Sequence, residues 1–244
     1  MSLLPRISAL LCASILLSHT TAGPLWAEDT SPSRPSGQSQ QSQKQRTLGI
    51  VLYKNFELLD VCGPAEMFGN VGRALRVVLV AEEAGPVRST QGIKLVADYG
   101  FHDCPPLDLI MVPGGSGTLN QLRNNTLLNW LKERSPRAEL VTSVCSGAAV
   151  LAKAGLLDGR QATTNKQYYS VCTSPGPKVK WVKEARWVDD GTIVTSSGVS
   201  AGLDMALHVI ARLYGTETAQ KIADGTEYIW HTDPHSDPFA RFAK

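Results

Sequence analysis

The stretch Glu139–Leu151, ELVTSVCSGAAVL, sets a cysteine where a β-branched apolar run gives way to small, helix-compatible residues. A strand, a sharp turn and a helix are implied, with Cys145 at the bend. With serine in that place the arrangement is the nucleophile elbow, whose turn lifts the reactive atom above the sheet. A thiol at the bend sees the first N–H groups of the helix, and their dipole favours the thiolate, the reactive form. A buried free cysteine at a strand end is the competing reading of the same residues.

Two further segments carry groups that a nucleophilic thiol needs. Asp60 lies in Leu58-Leu59-Asp60-Val61-Cys62-Gly63-Pro64, an acid among apolar neighbours. It is read either as a helix cap or as a carboxyl close to Cys145. Burial and a neighbouring thiolate would both raise its pKa, so that it holds a transferable proton. Glu66 is the rival acid. The loop Pro113-Gly114-Gly115-Ser116-Gly117 follows the apolar run Leu107–Val112. Bare backbone there allows close approach. The N–H groups of Gly114 and Gly115, with that of Ser146, are expected to form an oxyanion hole. A phosphate-binding turn or a plain tight turn is the alternative.

No histidine offers itself as the base of a Cys-His pair. His19 lies in the first 27 residues, His102 precedes an apolar strand by several residues, and His208 falls in the last long helix. His231 and His235 sit in a polar tail, read as solvated in preference to metal-binding. No metal and no organic cofactor are expected.

Strands are expected at Thr47–Tyr53, Leu75–Ala81, Leu107–Val112 and Glu139–Val144. Leu58–Asn70 reads as a turn entering a short helix, with Pro64 near the helix start, and further helices are expected over Thr126–Arg134, Gly147–Ala154 and Ala201–Tyr214. Pro86–Asp98 reads as a hairpin. A second hairpin joins Val179–Val188 to Thr192–Ser196 through Asp189-Asp190-Gly191. Apolar strands alternating with helices imply a mostly parallel sheet covered on both faces. The site of such a sheet lies beyond the C-terminal strand ends, where the Asp60, Gly114 and Cys145 segments all emerge.

Residues 1–27 are read as a signal peptide: Arg6 precedes the apolar run Ile7–Leu17, which is too short to span a bilayer. Leu11 occupies the place where a lipobox before Cys12 wants a small residue. Residues 28–46, rich in Ser, Gln and Pro, cannot bury enough apolar surface to fold and are read as a disordered linker. Residues 47–240 make one α/β domain. Export to the periplasm or medium is expected, with no membrane contact after cleavage. A net charge of +2 without a basic cluster argues against nucleic acid. Cys62, Cys104, Cys145 and Cys172 show no zinc spacing and no disulfide framework.

Taken together, Leu48 to Phe239 resembles the ThiJ/PfpI superfamily, relatives of class I glutamine amidotransferases, and within it the isonitrile hydratase branch. Leu59-Asp60 with Gly63-Pro64 is similar to that branch's Leu-Asp-x-x-Gly-Pro motif, Val112–Gly115 to its Val-Pro-Gly-Gly loop, and Val144–Gly147 to its Val-Cys-Thr-Gly elbow. Gly155–Arg160 with Ala162-Thr163-Thr164, Gly198–Asp204 and Glu227-Tyr228 continue the match. The resemblance implies a flavodoxin-like fold and a homodimer. It also implies a lyase in which the Cys145 thiolate attacks an isonitrile carbon, Asp60 supplies a proton, Ser146 orients water or Asp60, and water releases an N-substituted formamide. Two positions depart from the pattern. Ser146 replaces threonine and keeps a hydroxyl. Asn165 replaces the histidine after Thr-Thr, and asparagine is no base, which counts against the superfamily's other readings, glyoxalase-like or deglycase-like action on reactive carbonyls. A non-catalytic ligand-binding or redox-sensing domain is the remaining alternative. Sensor domains of arabinose-type regulators are similar too, but an exported chain has no DNA to bind.

Overall fold

The computed structural model describes residues 44–244, so the expected signal peptide and most of the expected linker lie outside the described residues. The described residues open with β1 (Arg46–Val51), α1 (Leu58–Gly69) and β2 (Leu75–Ala81). A hairpin of β3 (Gly85–Arg88) and β4 (Lys94–Ala97) leads to the short β5 (Tyr99–Gly100). Next come β6 (Leu109–Val112), α2 (Thr118–Gln121), α3 (Asn125–Arg134), β7 (Leu140–Ser143) and α4 (Gly147–Lys153). A small parallel pair, β8 (Gln161–Ala162) and β9 (Lys180–Trp181), brackets α5 (Tyr169–Thr173). The hairpin β10 (Trp187–Asp189) and β11 (Ile193–Ser196) precedes α6 (Ala201–Tyr214) and α7 (Thr216–Gly225).

Seven strands form one sheet in the order β10-β11-β7-β6-β1-β2-β5. Every pairing in it is parallel except β10 with β11. The central strands are apolar throughout because both their faces are covered; all four residues of β6 are fully buried. From β1 the chain steps one way to β2, and from β6 the other way to β7. Right-handed crossovers then place α1 and α3 on opposite faces. α6 and α7 join the α1 layer, while α2, α4 and α5 pack with α3. The order reverses between β1 and β6, the place where open α/β sheets leave a crevice.

Four differences from the sequence reading bear on the site. Asp60 is in the first turn of α1, not in a loop, and it does not cap the helix. Pro64 falls inside that helix rather than near its start; lacking an N–H, it cannot bond the carbonyl of Asp60 four residues back. Val179–Val188 is not one strand: β9 pairs with β8, and only β10 pairs with β11. Last, the polar tail packs down. Its Pro234 carbonyl accepts the Arg186 N–H at 2.7 Å, and Asp237 is buried. Arg186 itself is ion-paired to the fully buried Asp204 at 2.6 Å, whose other oxygen accepts from the Tyr228 hydroxyl and the His231 N–H. His231 and His235 are exposed, as read.

Candidate active site

β1, β6 and β7 are neighbours, so the segments that leave their C-terminal ends converge. The β7 exit carries Cys145 with φ +57, a left-handed conformation that costs a non-glycine residue free energy. Three contacts hold it: the Cys145 N–H donates to the Ser197 carbonyl at 3.0 Å, its carbonyl accepts from the Thr164 hydroxyl at 2.9 Å, and the Asn165 Nδ2 donates to Sγ at 3.1 Å. The amide of Asn165 is oriented by the Tyr168 N–H, which donates to its Oδ1 at 2.9 Å. Gly198 makes room for this arrangement, since a Cβ there would collide with Asn165 Nδ2 and lie 3.1 Å from the sulfur.

Asp60 reaches the same point from α1. Its Oδ2 accepts the Gly114 N–H at 2.7 Å, while Oδ1 is buried without a partner. Burial pushes this carboxyl well above the usual carboxylate range, and the charge of Glu57 adds to the rise. The Gly114 N–H and the Cys145 thiol work against it. For Cys145, burial comes first and the Asp60 charge second; together they raise the thiol well above its ordinary value, against the pull of Asn165 and the Ser146 N–H. The expected helix effect does not prevail. α4 has only seven residues, and a buried thiolate loses more to desolvation than so short a helix returns. Each partner therefore holds its proton tightly, and the like-charge rise expected for Asp60 comes from Glu57 rather than from the thiolate.

The glycine loop does not present the expected free donors. The Gly114 N–H is taken by Asp60, and that of Gly115 donates to Ser146 Oγ at 3.1 Å. The loop thus orients the acid and the hydroxyl instead of lining an empty oxyanion hole. The Ser146 N–H acts on the sulfur of Cys145.

Ser146 belongs to a chain of hydroxyls whose direction can be derived. The Tyr53 hydroxyl donates to the Pro113 carbonyl at 2.7 Å, which can only accept. At its 3.1 Å contact with Thr118 Oγ1 the tyrosine must therefore accept, which fixes the threonine proton. Thr118 then accepts from Ser146 at 2.8 Å. The Ser146 proton points inward, leaving an oxygen lone pair to receive a further donor.

These groups open on a cavity of about 520 Å³. Cys145 and Ser146 are in its wall with Asn165, Cys172 and Glu57; Leu119, Leu122, Ala149, Val171 and Val199 make it largely apolar. Asp60, with no exposed surface, lies behind that wall. Glu66, the rival acid, is exposed on the outer side of α1 and bonds to Asn70. All four cysteines of the described residues are free thiols, and only Cys62 is exposed.

A DJ-1/PfpI family profile matches residues 46–212, from the first strand of the sheet into the helix that follows the last. The chain belongs to the DJ-1/PfpI family. Among curated DJ-1/PfpI relatives it is 36% identical to the isonitrile hydratase of Pseudomonas putida over 181 residues, 74% of this chain and 78% of that enzyme. A solved ThiJ/PfpI family protein from Pseudomonas syringae superposes with a TM-score of 0.71 at 31% identity, covering 82% of this chain and 83% of that one. Drosophila melanogaster DJ-1beta shares the fold at 20% identity, with a TM-score of 0.68 over 76% of this chain and 100% of its own.

Within this DJ-1/PfpI domain the structure brings Cys145, Asp60, Ser146, Gly114 and Gly115 together. Four contributors escaped the sequence. Asn165 registers there only as a missing base, yet it is a donor to the sulfur. Glu57 stands three residues before Asp60, one helical turn away, and that spacing was the available signal. Thr118 and Tyr53 carry no local mark, because their roles depend on a loop from another strand.

Proposed function

We propose that this DJ-1/PfpI protein is an exported cysteine-dependent enzyme that hydrates an isonitrile to an N-substituted formamide. The observation that carries the reading is the buried Asp60 beside the Cys145 elbow, its Oδ2 tied to the Gly114 N–H and its Oδ1 without a hydrogen-bond partner. Similarity to isonitrile hydratase supports the substrate, and Arg6 with Ile7–Leu17 supports export.

In this mechanism the active form carries one proton on the Asp60–Cys145 pair, and Asp60 takes it from the thiol as the sulfur attacks. Burial raises the proton affinity of both groups. The sulfur bonds to the terminal carbon of the isonitrile, and Asp60 returns the proton to that carbon, giving a thioimidate. Asn165 donates to the sulfur while it carries charge. Water then adds to the thioimidate carbon, held through one hydrogen by the outward lone pair of Ser146 and losing a proton to Asp60. Asp60 protonates nitrogen, the C–S bond breaks as the new hydroxyl gives up its proton through Asp60 to the sulfur, and the formamide leaves with the thiol restored. The sum is one isonitrile and one water per formamide. Because Asn165 cannot carry a proton, an aldehyde chemistry that needs a second base is disfavoured.

The test is to supply an alkyl isonitrile to purified protein and follow the formamide by NMR or mass spectrometry. Turnover is expected, lost in Cys145→Ala and reduced roughly 10²–10⁴-fold in Asp60→Asn, the range for general acid–base catalysis. No formamide from several isonitriles, or activity that survives Cys145→Ala, would refute the reading.

A further inference from the structure

The wall of the reactive cavity has a charge imbalance. Of its sixteen residues only Glu57 is charged; neither lysine nor arginine lines it. Two cations close to the elbow are committed elsewhere. Lys166, beside Asn165, is buried and turned away; its ammonium donates to the Thr163 hydroxyl and the Ala185 carbonyl and pairs with Asp237. Arg186 is held by Asp204. Glu57, in the cavity wall, is held by its neighbours. Its N–H donates to the Gly114 carbonyl at 2.8 Å, and Gln91 Nε2 donates to its Oε1 at 2.5 Å. The glutamine also takes the Leu58 N–H, at 3.1 Å. Glutamine supplies no charge, so the carboxylate stays uncompensated. Glu57 is the N-terminal flanking residue of α1, yet its side chain makes no capping bond. A negative group that does not serve its own helix, in an otherwise uncharged and largely apolar wall, acts on whatever enters.

We propose that Glu57 is a specificity-determining residue that makes the Cys145 cavity accept uncharged or cationic substrates and reject anions. A substrate with an alkyl or aryl body lies against Leu119, Leu122, Val171 and Val199, and an ammonium group on that body reaches the Glu57 carboxylate. A carboxylate or phosphate on the same body meets like charge and no compensating cation, in a cavity whose apolar walls weaken screening. This deepens the isonitrile reading by naming the class of N-substituent, and it rests on that reading for the reaction. The charge selection itself rests only on the cavity.

It is therefore tested on the thiol without turnover. Cys145 is modified with three reagents of one chemistry: methyl methanethiosulfonate, its trimethylammonioethyl analogue and its sulfonatoethyl analogue. Each transfers its thioalkyl group to the thiolate and releases methanesulfinate. Rates at Cys145, read by peptide mass spectrometry, are divided by the rates on N-acetylcysteine amide to remove intrinsic differences. The cationic reagent is expected to outpace the anionic one by on the order of tenfold or more, and added salt should shrink the ratio. Glu57→Gln, which keeps the size and can keep the contact with Gln91, should reduce the ratio severalfold, as should Glu57→Ala. Equal normalised rates in the unmodified protein, or a ratio that both variants leave intact, would overturn the proposal. Absence of isonitrile turnover would count against the reaction and leave this test readable.

Discussion

Gly114 is the residue at which the smallest change should do the most damage. An alanine Cβ there would lie 2.5 Å from Ser146 Oγ, 2.6 Å from the Ser146 backbone nitrogen and 3.0 Å from Asp60 Oδ2. Ordinary contact begins at 3.4 Å, so the worst overlap is 3.4 − 2.5 = 0.9 Å. The groups struck are a backbone nitrogen and two anchored side chains, none a flexible end that could swing aside. Either the glycine loop lifts and breaks the 2.7 Å bond to Asp60, or the elbow retreats. A misplacement of about 1 Å is worth roughly 10²-fold in turnover. In stability, overpacking costs about 1–3 kcal/mol; the reduced freedom of the unfolded chain returns only about 0.4–1 kcal/mol, so the clash wins. Gly69→Ala is the control, because a Cβ there meets nothing within 4 Å. Turnover, the Cys145 alkylation rate and thermal unfolding should be measured on both variants. If Gly114→Ala matches Gly69→Ala in all three, the site is not built on that contact.

Two further outcomes follow from the proton balance. Asn165→Ala removes the donor that favours the thiolate, so the pH profile of Cys145 alkylation should move upward, and Asn165→Asp should move it further by adding like charge; a profile unmoved in both would mean that the 3.1 Å contact has no influence. Asp60 should shape stability with a definite sign. The unfolded chain releases this proton near 3.8, while the folded state keeps it to higher pH because the carboxyl is buried. Between those two values the folded state binds more protons, so this residue's contribution to stability falls as pH rises through the window. Asp60→Asn should therefore melt higher than the unmodified protein at neutral pH, with the gap closing toward pH 4; a gap that is constant across pH would contradict the burial argument.

What the sequence disclosed depended on how local each signal was. The apolar runs that became β1, β2, β6 and β7 needed no knowledge of their neighbours, since a strand buried on both faces is apolar in every register. Cys145 and the Gly114 loop were legible because each sits at the end of such a run. Asp60 stood out as an acid among apolar residues. The state of these groups was not legible. Whether the thiol is raised or lowered depends on burial set by three converging loops, and the engagement of the Gly114 and Gly115 N–H groups depends on a helix and an elbow that lie far away in the chain. The folded-down tail was missed because it is held by buried anchors, Asp204 and Asp237, that no periodicity reveals, and α7 because only Ala219, Ile222 and Ala223 mark its buried face.

The tight hold of Cys145 on its proton has a consequence outside catalysis. Oxidants and stray disulfides react with thiolates and largely ignore thiols. A nucleophile ionised at rest would be consumed slowly wherever peroxide or oxidised glutathione is present, and the three other free thiols among the described residues offer partners for wrong pairing. A nucleophile ionised only when the neighbouring carboxyl takes its proton is idle between turnovers. The partly folded chain has no such protection, because Asp60 and Cys145 meet only after strands remote in sequence have paired. Exposure to oxidant should thus be most harmful during folding and least harmful once the sheet has closed.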